Sequence, residues 1–170
     1  MPSRFRDLRK TIDSFGGSFL VACPKCQARS FVYEKDQHVR FVCPACGRNE
    51  AWKGSRSGIQ YGWGNRPPPA NVICIGAPFD WYFHYPVWLA IPCCGETLWA
   101  YNREHLDYLD AFVSATLRER PENVPAGSPR NRSLASRLPP WIRSAKNRDR
   151  ILTAIVKLRE RLPPETPAKL

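Results

Sequence analysis

The chain is short of acid and of long apolar runs. Asp and Glu number 15 against 26 Lys and Arg, which leaves a formal charge of +11 over 170 residues. The least polar stretch, Val72 to Cys94, holds Asp80, His84 and three prolines, so a buried β-rich module accounts for it better than a membrane span. Arg4, Arg6, Arg9 and Lys10 are not followed by an uninterrupted apolar segment, so no secretory signal is expected and the chain is placed in the reducing cytoplasm. No Gly-x-x-x-x-Gly-Lys phosphate loop occurs, which argues against an NTP-driven motor. No internal repeat is visible.

What is present is positive charge, unevenly spread. Residues 1–66 carry 12 Lys/Arg against 5 Asp/Glu, residues 67–127 carry 3 against 7, and residues 128–162 carry 10 against 2. Basic ends around an acidic middle point to a polyanion, with nucleic acid the first candidate and a solvated surface the plain alternative. The apolar content of 43% suffices for a core, while 17 prolines predict short elements and many loops.

The most specific pattern is sulfur. Cys23-Pro24-Lys25-Cys26 and Cys43-Pro44-Ala45-Cys46-Gly47 are two Cys-x-x-Cys knuckles with 16 residues between them. This spacing brings four thiolates around one tetrahedral zinc, with a single iron the alternative occupant. Ser18–Ala22, Arg29–Tyr33 and His38–Val42 read as strands, Glu34–Gln37 as a hairpin tip, and Glu50–Trp52 as a further strand. Residues 17–55 therefore resemble the zinc-ribbon fold of transcription and replication proteins. The resemblance implies a closed, structural zinc site held by Cys23, Cys26, Cys43 and Cys46. Glu34 and Asp36 at the tip resemble the acidic tip of transcript-cleavage factors, except that Lys35 separates carboxylates that are adjacent in that family.

Around the ribbon, residues 1–16 form a basic N-terminal segment and residues 56–70 a Gly/Pro-rich linker, with an ordered extension as the alternative reading of this stretch. Residues 71–163 form an α+β domain with basic C-terminal helices, and residues 164–170 a tail. In that domain Val72–Ile75, Trp81–Tyr85, Val87–Ile91 and Thr97–Tyr101 read as strands of a small antiparallel sheet, with Cys93–Glu96 as a tight turn. Asn102 caps a helix expected to run to about Arg120, with Leu106, Leu109, Phe112, Val113 and Leu117 buried. Ser133 caps a short turn, Pro139 and Pro140 open a helix at Trp141, and Asp149 recaps a last helix whose stripe is Ile151, Ile155, Leu158 and Leu162. The fold class is α+β: a zinc ribbon, a second small sheet, and two to three C-terminal helices.

Candidate nucleic-acid contacts are Arg29, Lys35, Arg40, Arg48 and Lys53 on the ribbon, and Arg132, Arg137, Arg143, Lys146, Arg148 and Arg150 beyond it, because the guanidinium fork suits phosphate. Arg143, Lys146 and Arg150 share a face if the helix is continuous. Phe31, Tyr33 or Trp52 would stack on bases if exposed. Cys74, His84, Cys93 and Cys94 have the chemistry of a second metal site, although packing as small apolar residues is the favoured role for the cysteines.

Leu98–Asn102 with His105-Leu106, and Ser133–Pro139 with Ser144–Arg148, are similar to small uncharacterised bacterial zinc-ribbon proteins, some linked by name to the primosomal replication-restart helicase. That helicase has eight cysteines in two sites and a motor domain, so its activity does not carry over. The expected function is a non-enzymatic nucleic-acid-binding or accessory protein in bacterial replication, transcription or translation. The alternatives are an adaptor docking a larger protein machine, and an enzyme built on the Cys74/His84/Cys93/Cys94 region. No membrane partner is expected.

Overall fold

The computed structural model describes residues 4–62, 68–119 and 133–164. Alternation of apolar and polar side chains shapes the first third. Strand β1 (Arg4–Arg6) buries Phe5 between two arginines. After a 3-10 turn at Ile12–Phe15 come β2 (Ser18–Ala22), β3 (Arg29–Lys35), β4 (His38–Val42) and β5 (Asn49–Ala51), an antiparallel sheet in that order. The β3–β4 hairpin turns on Asp36 and Gln37, both at positive φ (51° and 63°), as a two-residue turn of primed type requires.

Strand β6 (Ser55–Tyr61), exposed along its length, lies parallel to β7 (Val72–Ile75). Strands β8 (Leu89–Cys93) and β9 (Glu96–Ala100) form a hairpin turning on Cys94 and Gly95, again with both φ values positive. Helix α1 (Arg103–Ser114) starts at Asn102, whose side-chain oxygen accepts the His105 N–H while its amide donates to the carbonyls of Phe15 and Ser18, both at 2.8 Å. Strand β10 (Leu117–Glu119) pairs in parallel with β1. Helices α2 (Leu134–Arg137), α3 (Pro140–Arg143) and α4 (Arg148–Arg159) follow, with a 3-10 turn at Ala145–Asn147 between the last two.

The knuckle-bearing sheet and the rest share one core. Beyond β3, β2 has a second neighbour: Ala22 N–H donates to Pro86 O at 2.9 Å, Trp88 N–H to Leu20 O at 2.9 Å, and Val21 bridges Val87. Val21, Val32 and Phe41 from the sheet join Leu89, Tyr101, Leu106, Ile151 and Leu158 in a single buried cluster. Burying so much apolar area in common stabilises each part through the other.

The structure corrects several expectations. Trp81–Tyr85, read as a strand, is a turn wound around the buried Asp80 carboxylate, whose oxygens accept the N–H groups of Tyr82, Phe83 and Tyr85. Aromatic content mimics a strand there, but a buried carboxylate needs convergent donors and curls the backbone to get them. Strand β7 pairs with β6 rather than joining β8 and β9. Helix α1 ends at Ser114, and Leu117 belongs to β10, where the backbone of β1 is satisfied. The helix opened by Pro140 stops at Arg143, and α4 begins after Asn147, with Asp149 in its first turn rather than at its cap. The stripe of Ile151, Ile155, Leu158 and Leu162 is buried as expected.

Candidate metal centre and basic face

The two knuckles are built alike. Each occupies a break between strands, β2 to β3 and β4 to β5. In the first, Cys23 N–H donates to Ala28 O and Gln27 N–H to Cys23 O, both at 2.9 Å; in the second, Cys43 N–H donates to Arg48 O at 2.8 Å and Gly47 N–H to Cys43 O at 2.9 Å. The fifth residue of each is in the left-handed region, Gln27 at φ 60° and Gly47 at φ 74°. Glycine adopts this freely and Gln27 is held there by the turn. The Lys25 N–H points at Cys23 Sγ, 3.4 Å away.

Four sulfurs therefore converge. Cys23 and Cys46 are 3.8 Å apart, Cys26 and Cys43 are 3.5 Å apart, and all four lie within 4.8 Å of one another. A tetrahedral ion with metal–sulfur bonds of about 2.3 Å needs sulfur–sulfur edges of about 3.8 Å, so the donor set fits one thiophilic ion. Protons are shared unequally in the cluster. Cys43 is drawn down to about 6, first by hydrogen bonding with Ser30. For Cys26 the Ala28 backbone amide favours the thiolate, but desolvation and the neighbouring thiols raise it to about 12. A cation among them is what lets four thiolates coexist. Ser30 was missed in the sequence; its one signal is a small polar residue at an inward position of β3, where it is fully buried.

Cys74, His84, Cys93 and Cys94 do not assemble in this way. Among the described residues the four knuckle cysteines are the one group of three or more His, Cys, Asp or Glu placed to share an ion. Cys74 packs with Ala77 and Phe79, and its thiol points to Gly62 O. His84 Nε2 is 2.9 Å from Val72 O, and Cys93 and Cys94 sit in the β8–β9 turn with their sulfurs 3.6 Å apart.

The basic residues divide into two sets. Arg29 donates to Arg161 O, Arg48 pairs with Glu50, and Arg148 donates to Ala115 O, so all three brace the fold. Lys35, Arg40 and Lys53 on the ribbon, and Arg137, Arg143, Lys146 and Arg150 in the C-terminal region, are exposed, with Arg137 and Arg143 also engaged by partners. Arg143, Lys146 and Arg150 do not share one helical face, because α3, a 3-10 turn and α4 carry them separately. Arg132 lies outside the described residues.

Cross-strand pairing sorts the ribbon's faces. Tyr33 is opposite Arg40, and Lys35 opposite His38, on the face turned away from the core. Trp52 packs inward against Tyr82, with ring centroids 5.1 Å apart. Glu34 also turns inward: it accepts from Arg56 and from the Tyr82 hydroxyl at 3.0 Å. Glu34 and Asp36 therefore form no paired acidic tip. Glu50 similarly accepts from Arg48 and Tyr85.

These features define a mixed α+β protein with a zinc-ribbon-like, four-cysteine site for a single metal ion. Compared with protein-family models, with curated proteins and with solved structures, the chain matches none. No described helix is long and apolar enough to cross a membrane.

Proposed function

We propose that the chain is a non-enzymatic zinc-ribbon protein that binds nucleic acid, as an accessory factor in replication, transcription or translation. Zinc is the resident ion in this reading, because an all-cysteine tetrahedron with no open position is the donor set of a structural zinc site. Metal analysis of the purified protein should return about one zinc per chain, and iron in its place would overturn that part.

The observation that carries the nucleic-acid reading is the sorting of charge across the ribbon sheet. Glu34 and Glu50 are engaged on the inner face, while the outer face presents Tyr33, Lys35, His38 and Arg40. A ring flanked by cations suits a base and its phosphates. The acidic middle is less available to a protein partner than its sequence suggests, since Asp107 and Asp110 both pair with Arg159. The test is fluorescence anisotropy with labelled single- and double-stranded DNA and RNA across ionic strength. Lys35→Ala with Arg40→Ala should flatten the single-strand log–log salt slope by about 1.4, from roughly 0.7 per phosphate contact. Absence of binding at low salt, or an unchanged slope in the double variant, would sink the proposal.

A further inference from the structure

A cavity of about 540 Å³ lies among β7, β9, α1, α2 and α3, a volume typical of small-molecule sites. Ile75, Leu109 and Ile142 give it apolar walls, and the half-buried Trp99 and Trp141 add aromatic surface. His105 also lines it and is only 3% exposed. Its ring stacks on Phe15 with centroids 4.9 Å apart, and Nδ1 accepts the Tyr101 N–H at 3.2 Å. That bond assigns the ring proton to Nε2. Burial draws the histidine down to about 3, so the ring stays neutral. Among the described residues Nε2–H makes no hydrogen bond, and the Trp99 ring stands edge-to-face with the imidazole, centroids 5.5 Å apart.

We infer that this cavity binds a planar heteroaromatic molecule whose ring nitrogen or carbonyl accepts from His105 Nε2–H while its faces pack on the tryptophans. An aliphatic ligand would fill the apolar space and leave the Nε2–H donor unmatched, whereas a heterocycle satisfies both. The same chemistry is offered by a free nucleobase or nucleoside and by an unstacked base of a bound strand. The inference stands apart from the nucleic-acid reading, since Tyr33, Lys35 and Arg40 take no part in it.

The experiment titrates the full chain with adenosine, guanosine and lumichrome, and separately with an adenine pentanucleotide, following tryptophan fluorescence and the His105 Nε2 resonance. At least one of the three small probes should bind saturably with Kd below about 1 mM, and should shift that resonance. His105→Phe keeps the stack on Phe15 and should weaken binding about tenfold. Ile142→Trp fills the cavity and should abolish it. If Ile142→Trp also weakens the pentanucleotide, the source is a base within a strand; if it spares the pentanucleotide, the source is a free heterocycle. No saturable binding of any small probe to the unsubstituted protein up to about 1 mM would overturn the inference. An Nε2 resonance unmoved at saturation would do the same, as would binding that survives both substitutions.

Discussion

Replacing Asp80 tests how the segment that follows the ribbon supports it. The carboxylate is fully buried; Oδ1 accepts from Tyr82 and Phe83 at 2.9 and 2.8 Å, and Oδ2 from Tyr85 at 2.7 Å. The turn it shapes carries the Tyr82 and Tyr85 hydroxyls to Glu34 and Glu50. Asp80→Ala takes the acceptor from three N–H groups, Tyr82 buried and Phe83 and Tyr85 partly buried, at about 1–3 kcal/mol each. Against this, burial raises the Asp80 carboxyl from 3.8 to about 6 in spite of the backbone amides around it, so removing the charge at pH 7 recovers up to about 3 kcal/mol. The net expectation is a loss of up to about 6 kcal/mol for Asp80→Ala, about 3 at the middle of these ranges. Asp80→Asn keeps one acceptor oxygen and removes the charge, so it should change stability at pH 7 by no more than about 1 kcal/mol. A carboxyl whose pKa is higher folded than unfolded holds its proton more tightly when folded. Its contribution is therefore fully present below 3.8 and lost as pH rises through about 6. Between pH 7 and pH 5 the unsubstituted protein should gain about 1.3 kcal/mol relative to Asp80→Asn, and the shared metal site cancels in that difference. Urea unfolding followed by tryptophan emission measures all three proteins. Asn as damaging as Ala, or a difference between Asp and Asn that is flat from pH 5 to pH 7, would refute this role for the Asp80 carboxylate.

Removing the metal should unfold more than the ribbon, because Val21, Val32 and Phe41 share a core with α1 and α4. A strong zinc chelator should therefore lower helical circular dichroism together with the tryptophan signal; helices that persist with a native-like melt would contradict the shared core. Gly16 admits no side chain: a Cβ there would overlap the Trp81 ring. Gly16→Ala should lower stability by about 1–3 kcal/mol, read from the urea midpoint, and a neutral result would mean that the Trp81 contact is loose.

The parts legible in the sequence were local. The knuckles, the two primed hairpins and the capped start of α1 each depend on residues within a few positions, and their chemistry is written in cysteine, glycine, asparagine and the polar Asp36-Gln37 tip. The metal site was readable for the same reason, except for Ser30, whose approach to Cys43 depends on β3 crossing beside the second knuckle. The features that the sequence does not signal depend on distant partners. The pairing of β1 with β10 joins segments with no shared pattern, and it ends α1 early. The turn at Trp81–Tyr85 follows from the burial of one aspartate, and no propensity signals that burial. Among the arginines, Arg29, Arg48 and Arg148 looked the same as the exposed cations, because a guanidinium that caps a carbonyl or a carboxylate is distinguished only by what lies across from it.

Strand β2 is completed from both sides at different times. Its hairpin neighbour β3 follows at once in the chain, but residues 86–88 and Tyr101, which close its other edge, come much later. During synthesis the four cysteines emerge, and can gather on an ion, while Leu20 and Ala22 still present unpaired backbone to other chains. A fragment cut after the ribbon would keep that edge open, and with it a template for pairing with another strand.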